Sequence, residues 1–345
     1  MVENNLQMDI RMSPVESFIK ARSPFRISFF GGGTDYPDWY HRHGGAVLST
    51  SINKYCYIIC RYLPPFFPLR HRISWSHIET VNSISEILHP AIREGLRMLE
   101  FTDHMGIELH HFADLPARAG MGSSSAFANT LILALKALRG EVIVIDKREL
   151  FRLSLALEQD RLKENVGSQD QVATAMGGLN RIYFQPDGSI EVVPLTVDAD
   201  RLNRLQDNLL LFFTGTNRLA SEIAGKLIAN FDSRQAELHA MRKLVDEAAA
   251  LLEGDGDLDQ FGVMLHETWE RKRRLAASIS NPHIDDIYRR AREAGALGGK
   301  LLGAGAAGFM VFYAPPERHA AIQATLGPPL LHVPFRFESD GSALL

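Results

Sequence analysis

Residues 116–126 read Pro-Ala-Arg-Ala-Gly-Met-Gly-Ser-Ser-Ser-Ala, and they lead directly into a helical pattern over residues 127–138. A glycine-rich turn that ends in three hydroxyls at a helix start leaves backbone N–H groups unpaired. It also exposes the positive end of the helix dipole. Both features suit a phosphate group. This stretch therefore indicates a protein that binds phosphate at the start of a helix.

Composition limits the other functions that the chain can have. Its 345 residues are 46% hydrophobic and 23% charged, which is typical of one large or two ordinary globular domains. A net charge of -4 gives no electrostatic reason to expect nucleic acid or an anionic membrane as partner. Residues 1–20 contain no continuous apolar core and are expected to form an N-terminal extension rather than a signal peptide. We therefore expect a soluble, cytoplasmic protein.

Two cysteines, Cys56 and Cys60, lie in a stretch rich in β-branched and aromatic residues that predicts a strand. Four residues along a strand put them on one face but about 13 Å apart. That separation is too long for a disulfide. Reduced cysteines in the core are the expected result.

Strands and helices alternate irregularly along the chain, which favours an α+β fold over repeated βαβ units. The composition turns polar over residues 198–207, and we expect a domain boundary there, giving domains 21–200 and 201–345. Periodicity predicts helices over residues 90–100, 126–138, 147–162, 233–252, 258–277 and 284–294. It predicts strands over residues 47–62, 107–111, 180–184, 190–194, 209–213 and 309–313.

Several common sites are disfavoured by their context. Gly303, Gly305 and Gly308 match G-x-G-x-x-G, but a helix precedes them and a strand follows, the reverse of a dinucleotide site. The P-loop, protein-kinase and G-x-S-x-G patterns are missing, and His266-Glu267 lacks the second histidine of a zinc motif. The basic run at 271–274 is expected to be a solvated helix face, with the alternative that Lys272 or a neighbour reaches a substrate phosphate.

Three glycine-rich segments, at 31–33, 118–126 and 303–308, together resemble the three motifs of the GHMP kinase superfamily. Residues 23–36 are similar to the galactokinase form P-G-R-x-N-L-I-G-E-H-T-D-Y, and 116–126 resembles P-x-x-x-G-L-G-S-S-A. Residues 303–308 resemble the C-terminal G-x-G-x-G-G. The resemblance spans residues 22–314 and implies two α+β domains with an active site in the cleft between them.

Within the superfamily, the chain most resembles the D-glycero-D-manno-heptose 7-phosphate kinases. Motifs of that family stand here at residues 26–35, 43–47, 52–55, 89–96, 169–171, 280–285 and 300–305. The resemblance implies ATP-dependent phosphorylation of the anomeric hydroxyl of the heptose 7-phosphate, giving the 1,7-bisphosphate. A fucokinase or galactokinase type of sugar 1-kinase, or a non-catalytic ligand sensor with this fold, is the alternative. Monomer and homodimer both stay open.

The resemblance also implies roles for individual residues. The loop around the ATP phosphates is Ala119, Gly120, Met121, Gly122, Ser123, Ser124 and Ser125. Ser124 and Glu158 are expected to bind Mg²⁺, Asp170 to be the base, and Arg26 to stabilise charge. The substrate is expected at Gly32, Gly33, Thr34, Asp35, Gly303 and Gly305. Candidates for a distal phosphate are Lys54, Arg218, Lys272 and Lys300.

The chain departs from the family pattern at three places. Arg118 stands where many members have glycine, and Ala306-Ala307 replace two glycines of the third motif. An added Cβ is unfavourable where the backbone needs a positive φ. Asn165-Val166, just before Gly167, is the third departure.

Overall fold

A computed structural model describes residues 18–345 except 65, 142, 143, 145 and 216–219, and leaves the side chains of 220–223 undescribed. Its strands are β1 (Ile19–Phe30), β2 (Gly45–Tyr62), β3 (His71–Ser74), β4 (Ile78–Val81), β5 (Ile107–Ala113), β6 (Leu179–Phe184), β7 (Ile190–Pro194), β8 (Leu209–Phe213), β9 (Gly298–Leu301), β10 (Phe309–Tyr313), β11 (Leu331–His332), β12 (Phe337–Glu338) and β13 (Ala343–Leu344).

The helices alternate irregularly with these strands. They are α1 (Pro37–His43), α2 (Pro90–Met98), α3 (Ser123–Leu138), α4 (Lys147–Leu155), α5 (Gln169–Met176), α6 (Ala199–Asp207), α7 (Ala220–Ile228), α8 (Gln235–Glu253), α9 (Asp259–Leu275), α10 (Pro282–Glu293) and α11 (Pro316–Leu326). The predicted α+β class is confirmed.

The first sheet is built on the long antiparallel pair β1 and β2. Its strand order is β13-β1-β2-β5-β3-β4, and β12 and β6 also pair with β2 while β7 pairs with β6. From Ser23 to Phe30 every residue of β1 is buried, because the sheet has other elements on both faces. This burial fixes the end of β1, where the Gly31-Gly32-Gly33 turn begins.

The second sheet is smaller and antiparallel, in the order β11-β8-β10-β9. Its strands β8 and β10 read Leu-Leu-Leu-Phe-Phe and Phe-Met-Val-Phe-Tyr, nearly continuous apolar runs that are buried almost throughout. The long helices α8 and α9 pack on each other, and α9 packs on β9. The final strands β12 and β13 return to the first sheet.

Several sequence expectations were wrong in detail. The helix expected over 147–162 ends at Leu155, and residues Ala156–Arg161 form a π-helix instead. The helix expected from residue 126 begins at Ser123, so all three serines lie in its first turn. The polar stretch near residue 200 is the helix α6, begun by the side chain of Asp198. The boundary proposed there stays a prediction.

Other expectations agree with the structure. Cys56 and Cys60 are buried and free, on one face of β2. Strand β1 already contains Ile19 and Lys20, whereas the expected extension before them lies outside the described residues. In the part of the chain that the structure describes, no helix has the length and apolar character needed to cross a bilayer.

Candidate active site

A cleft between the two sheets collects most of the residues singled out by the sequence. The phosphate loop, the turn after β1, the start of α5 and the loop after β9 all open into it. Its wall consists of Arg26, Ser28, Gly32, Gly33, Asp35, Tyr36, Arg118, Gly120, Gly122, Ser123, Ser124, Ser125, Glu164, Asn165, Val166, Gly167, Gln169, Asp170, Ala224, Leu227, Lys272, Leu275, Lys300, Gly303 and Ala304.

The phosphate loop ends at Gly122, which precedes α3 in the left-handed conformation with φ 76°. Because glycine has no side chain, it cannot cap the helix, and the first-turn N–H groups of the serines stay available for an anion. Ser123, Ser124 and Ser125 reach the cleft, whereas Ala119 and Met121 are buried and contribute backbone carbonyls instead. The loop thus presents to the cleft a helix start of the kind that binds anions.

Arg118 adopts φ 60° at the start of this loop. A left-handed conformation is unfavourable for any residue with a Cβ, which explains why many members of the superfamily have glycine at this position. Ala306 likewise has φ 65°, whereas Ala307 is outside that region. Gly305, predicted to touch substrate, does not line the cleft; a Cβ on it would lie 2.8 Å from the Ile279 backbone. Its neighbour Gly303 does line the cleft.

The predicted base and its cation form a bidentate pair. Arg26 donates from Nε to Asp170 Oδ1 at 2.8 Å and from NH2 to Oδ2 at 2.7 Å. Its third nitrogen, NH1, donates to the Gly120 carbonyl at 2.7 Å. The arginine is almost completely buried, while about a quarter of the Asp170 side chain is exposed. Arg26 therefore aims the carboxylate into the cleft and ties it to the phosphate loop.

Asp35 is the second carboxylate of the cleft. Its Oδ1 accepts a hydrogen bond of 2.9 Å from the Gly33 N–H, and its carbonyl accepts one of 2.8 Å from Ser168 N–H. Burial raises the pKa of Asp35, and the charge of Asp170 raises it further. Thr34 is buried outside the cleft wall and donates its hydroxyl to the carbonyls of Gly31 and Ala46. Thr34 thus fixes the turn that presents Asp35.

Glu158 lies in the π-helix, a feature frequent at functional sites. Its Oε2 accepts hydrogen bonds from Ser125 Oγ at 2.7 Å and Gln171 Nε2 at 2.6 Å. Its Oε1 is buried without a hydrogen-bond partner among the described residues. Burial raises the pKa of Glu158 to about 7.

This arrangement suits Mg²⁺, which takes few protein carboxylates and completes its oxygen shell with water and phosphate oxygens. An orphaned carboxylate oxygen behind the phosphate loop, together with the Ser124 hydroxyl in the cleft wall, offers such a donor set. Within the described ranges, no three His, Cys, Asp or Glu side chains form a metal site by themselves. A divalent ion here would depend on the nucleotide.

The candidate lysines occupy different positions. Lys272 and Lys300 line the cleft and are almost completely buried. Lys54 is half-buried on β2 and does not line the cleft, and Arg218 lies outside the described residues. Sequence reasoning missed Ser28, Tyr36, Glu164 and Gln169 in the wall. The Gln-Asp-Gln motif was the available signal for Gln169, which precedes Asp170, and for Gln171, which holds Glu158.

Two family models match this chain. The GHMP kinases N terminal domain matches residues 86–178, and the GHMP kinases C terminal model matches residues 241–326. This chain is a GHMP kinase. Its resemblance to that superfamily, drawn from three short motifs, is thereby confirmed, and so is the fold with its active site between the two domains.

Individual relatives of this GHMP kinase match most of the chain, but at low sequence identity. The D-glycero-alpha-D-manno-heptose 7-phosphate kinase of Campylobacter jejuni is 27% identical over 313 residues, which are 87% of this chain and 90% of that protein. The bifunctional fucokinase/GDP-fucose pyrophosphorylase of Arabidopsis thaliana is 26% identical over 87% of this chain, but only 30% of its own length is covered.

A solved structure shares the fold of this GHMP kinase. The D-glycero-D-manno-heptose 1-phosphate kinase from Bacteriodes thetaiotaomicron superposes with a TM-score of 0.77 at 23% identity, covering 95% of this chain and 98% of that one. The chain is an ATP-dependent phosphotransferase with an alcohol group as acceptor, of the sugar-kinase type.

Proposed function

We propose that this enzyme transfers the γ-phosphoryl group of ATP to the anomeric hydroxyl of D-glycero-D-manno-heptose 7-phosphate, giving the 1,7-bisphosphate. The observation that carries the chemistry is the Asp170 carboxylate. Arg26 holds it by two hydrogen bonds, and it faces the cleft into which the phosphate loop and Asp35 also open. A base, a phosphate site and a hydroxyl-binding carboxylate therefore share one space.

The transfer step needs positioning and charge stabilisation more than covalent chemistry. The acceptor oxygen forms a bond to the γ-phosphorus while the bond to the β–γ bridging oxygen breaks and ADP leaves. Asp170 takes the hydroxyl proton, and Asp35 accepts hydrogen bonds from sugar hydroxyls. Arg26 keeps the Asp170 carboxylate oriented through the step. The serine N–H groups at the start of α3 hold the phosphates.

Glu158 and Ser124 would hold a magnesium ion beside these groups. When bound, it neutralises charge on the β- and γ-phosphate oxygens. In this proposal, Ser125 and Gln171 position Glu158 by occupying Oε2, which leaves Oε1 for the ion. Chelation with EDTA is expected to abolish turnover, and added Mg²⁺ to restore it.

In addition to the similarity to the Campylobacter jejuni enzyme, two features are compatible with a phosphorylated acceptor. A Cβ on Gly32 would make only ordinary contacts, at 3.6 and 3.9 Å, so the glycine leaves room for about one methyl-sized group in the cleft wall. Among the described residues of the wall, cations outnumber carboxylates by four to three: Arg26, Arg118, Lys272 and Lys300 against Asp35, Glu164 and Asp170. This one-charge surplus favours anionic substrates in the cleft, of which ATP is one.

Fucose is the second candidate acceptor. Both the Arabidopsis thaliana enzyme and the L-fucokinase/L-fucose-1-P guanylyltransferase of Bacteroides fragilis match about seven-eighths of this chain, at 26% and 25% identity. A fucokinase would turn over an unphosphorylated sugar. The two proposals therefore differ in whether a phosphate on the acceptor improves turnover.

An ADP-release assay over a panel of acceptors tests the proposal. The panel contains heptose 7-phosphate, free heptose, L-fucose, galactose and mevalonate, with phosphorus NMR of each product. We expect the highest kcat/KM for heptose 7-phosphate and a new phosphorus signal at C1. A higher kcat/KM for fucose would replace the heptose assignment, and ATP binding without turnover of any sugar would favour the ligand sensor.

A further inference from the structure

We propose that Lys272 is a second catalytic cation, provided by α9, which contacts the phosphoryl group during its transfer from ATP. The inference deepens the proposed function and depends on it only for the identity of the acceptor. The expectation of a solvated face fits Arg274, whereas Lys272 is 6% exposed and is compatible with the alternative that it reaches a substrate phosphate. Lys272 lines the catalytic cleft.

The position of Lys272 follows from its hydrogen bonds. Nζ donates to the carbonyls of Leu301 and Gly303, at 3.3 and 2.5 Å. An ammonium group has three donors, so one N–H is left after these two bonds. Because Lys272 is part of the cleft wall, a phosphate oxygen in the cleft can accept from it.

Two backbone contacts place this ammonium close to Arg26 and the phosphate loop. Gly303, which Lys272 binds, touches Gly120 so closely that a Cβ on Gly303 would lie 2.4 Å from the Gly120 Cα. Arg26 NH1 binds the carbonyl of the same Gly120 at 2.7 Å. The two cations therefore lie on either side of one backbone contact, on the loop where ATP phosphates are expected.

Lys272 also has no carboxylate partner among the described residues. Among the described residues, no carboxylate lies within ion-pair distance of it, and its partners are neutral carbonyls. Burying an ammonium group without a counter-ion is unfavourable. Burial and, to a lesser extent, the charge of Arg26 lower its pKa to about 8, although the charges of Asp35 and Asp170 oppose this shift. A phosphoryl group in the cleft would supply the missing counter-charge.

Lys300 provides a contrast within the same cleft. It is 2% exposed, and Nζ donates to the carbonyls of Ser28 and Phe29 at 2.8 and 3.0 Å. These bonds join β9 of the second sheet to β1 of the first. Lys272 instead binds Gly303, which touches the phosphate loop at Gly120, so we assign Lys300 a structural role between the sheets and Lys272 the phosphoryl group.

The test compares Lys272→Met, which keeps most of the side-chain length, with Lys272→Arg, which keeps the charge. The matched control is Arg274→Met on the same helix, because Arg274 is exposed and does not line the cleft. We expect Lys272→Met to lower kcat by about 10²- to 10³-fold, as for other lost electrophilic groups. The KM of the acceptor should change less than threefold, Lys272→Arg should recover part of kcat, and Arg274→Met should match the wild type.

Running each variant with heptose 7-phosphate and with free heptose separates the alternatives. The same kcat loss with both acceptors supports the proposal. A loss confined to the KM of the phosphorylated acceptor would overturn it and make Lys272 a distal-phosphate ligand. Equal losses in the Met and Arg variants, accompanied by a lower melting temperature, would also overturn it by indicating a purely structural role.

Two controls keep the test decisive. If wild-type enzyme prefers another sugar, the proposed substrate fails, and the Lys272 variants are measured with that sugar instead. If Lys272→Met does not fold, the pH profiles of wild type and Lys272→Arg decide. A decline in wild-type activity above pH 8 that moves to higher pH in the Arg variant supports the proposal, and an unchanged profile overturns it.

Discussion

Replacing Gly167 by alanine should displace the carboxylate that is proposed to hold the sugar. Gly167 lies against Asp35, and an ideal Cβ on it would come 2.0 Å from Oδ2 and 2.8 Å from Cγ of that residue. The backbone of Gly167 is outside the left-handed region, so an alanine is not strained there for conformational reasons. The effect of Gly167→Ala therefore acts on the position of Asp35.

The size of the effect follows from the geometry. To regain an ordinary contact of 3.4 Å, Oδ2 must move by about 1.4 Å, and the bond from Gly33 N–H to Oδ1 limits which way it can go. A displacement near 1 Å in a catalytic site costs about 10²-fold in rate. We therefore expect kcat/KM for the acceptor to fall about 10²-fold, which is about 2.7 kcal/mol of transition-state stabilisation.

The KM for ATP should change little, since the phosphate loop does not contain Gly167. The assay is ADP release at saturating ATP with the acceptor varied. Gly225→Ala is the matched control, because a Cβ there meets nothing within 4 Å. If Gly167→Ala keeps kcat/KM within twofold of wild type while its melting temperature is unchanged, the role of Asp35 in acceptor binding is refuted.

Three other changes give further predictions. Asp170→Asn should lower kcat by at least about 10³-fold, since it removes the base; ATP affinity by calorimetry should persist, and activity within tenfold of wild type would show that Asp170 is not the base. In the proposed role Lys272 acts as a cation, and its pKa in the free enzyme is about 8. The value of kcat/KM for ATP should therefore fall by about tenfold per pH unit above pH 8. A pH–rate profile without this fall would contradict the role. Urea titrations should show that Ala306→Gly lowers the free energy of unfolding less than Ala307→Gly does, and the two losses should differ by about 1 kcal/mol. The reason is that, of these two residues, only Ala306 has a positive φ. Equal losses would show that Ala306 is not strained.

Much of the site could be predicted because its residues come in short motifs. The Gly-Met-Gly-Ser-Ser-Ser segment indicates its own local geometry, since a glycine turn before a helix needs no distant partner. Asp170 and Arg26 are 144 residues apart, and only the family resemblance placed them together. The structure brings them together in a bidentate contact.

The π-helix that carries Glu158 could not be read from the sequence. A periodic pattern over 147–162 is the same for a continuous helix as for one that widens after Leu155. The difference depends on tertiary contacts, here the hydrogen bonds from Ser125 and Gln171 that draw Glu158 behind the phosphate loop. Such contacts leave no trace in local periodicity.

The burial of Lys272, in contrast, is visible in the helical periodicity of the sequence. Leu265, Thr268, Trp269 and Leu275 are the buried residues near it on α9, and Lys272 falls among them at spacings of three, four and seven. The run Arg-Lys-Arg-Arg obscured this spacing because basic residues are usually solvated. Helical periodicity applied to the charged residues as well would have separated Lys272 from its less buried neighbours.

The glycines of the second and third motifs are required by each other as much as by ATP. A Cβ on Gly120 would lie 2.5 Å from the Leu302 carbonyl, and one on Gly308 would lie 2.2 Å from the Ala119 carbonyl. These approaches join the phosphate loop to the loop after β9, which belongs to the second sheet. Steric contact therefore explains the G-x-G-x-x-G pattern at 303–308. The strand-then-helix context of a dinucleotide site is not needed to explain it. Because the Gly303 carbonyl also accepts a hydrogen bond from Lys272, the same contact that shapes the phosphate loop brings a cation of α9 to it.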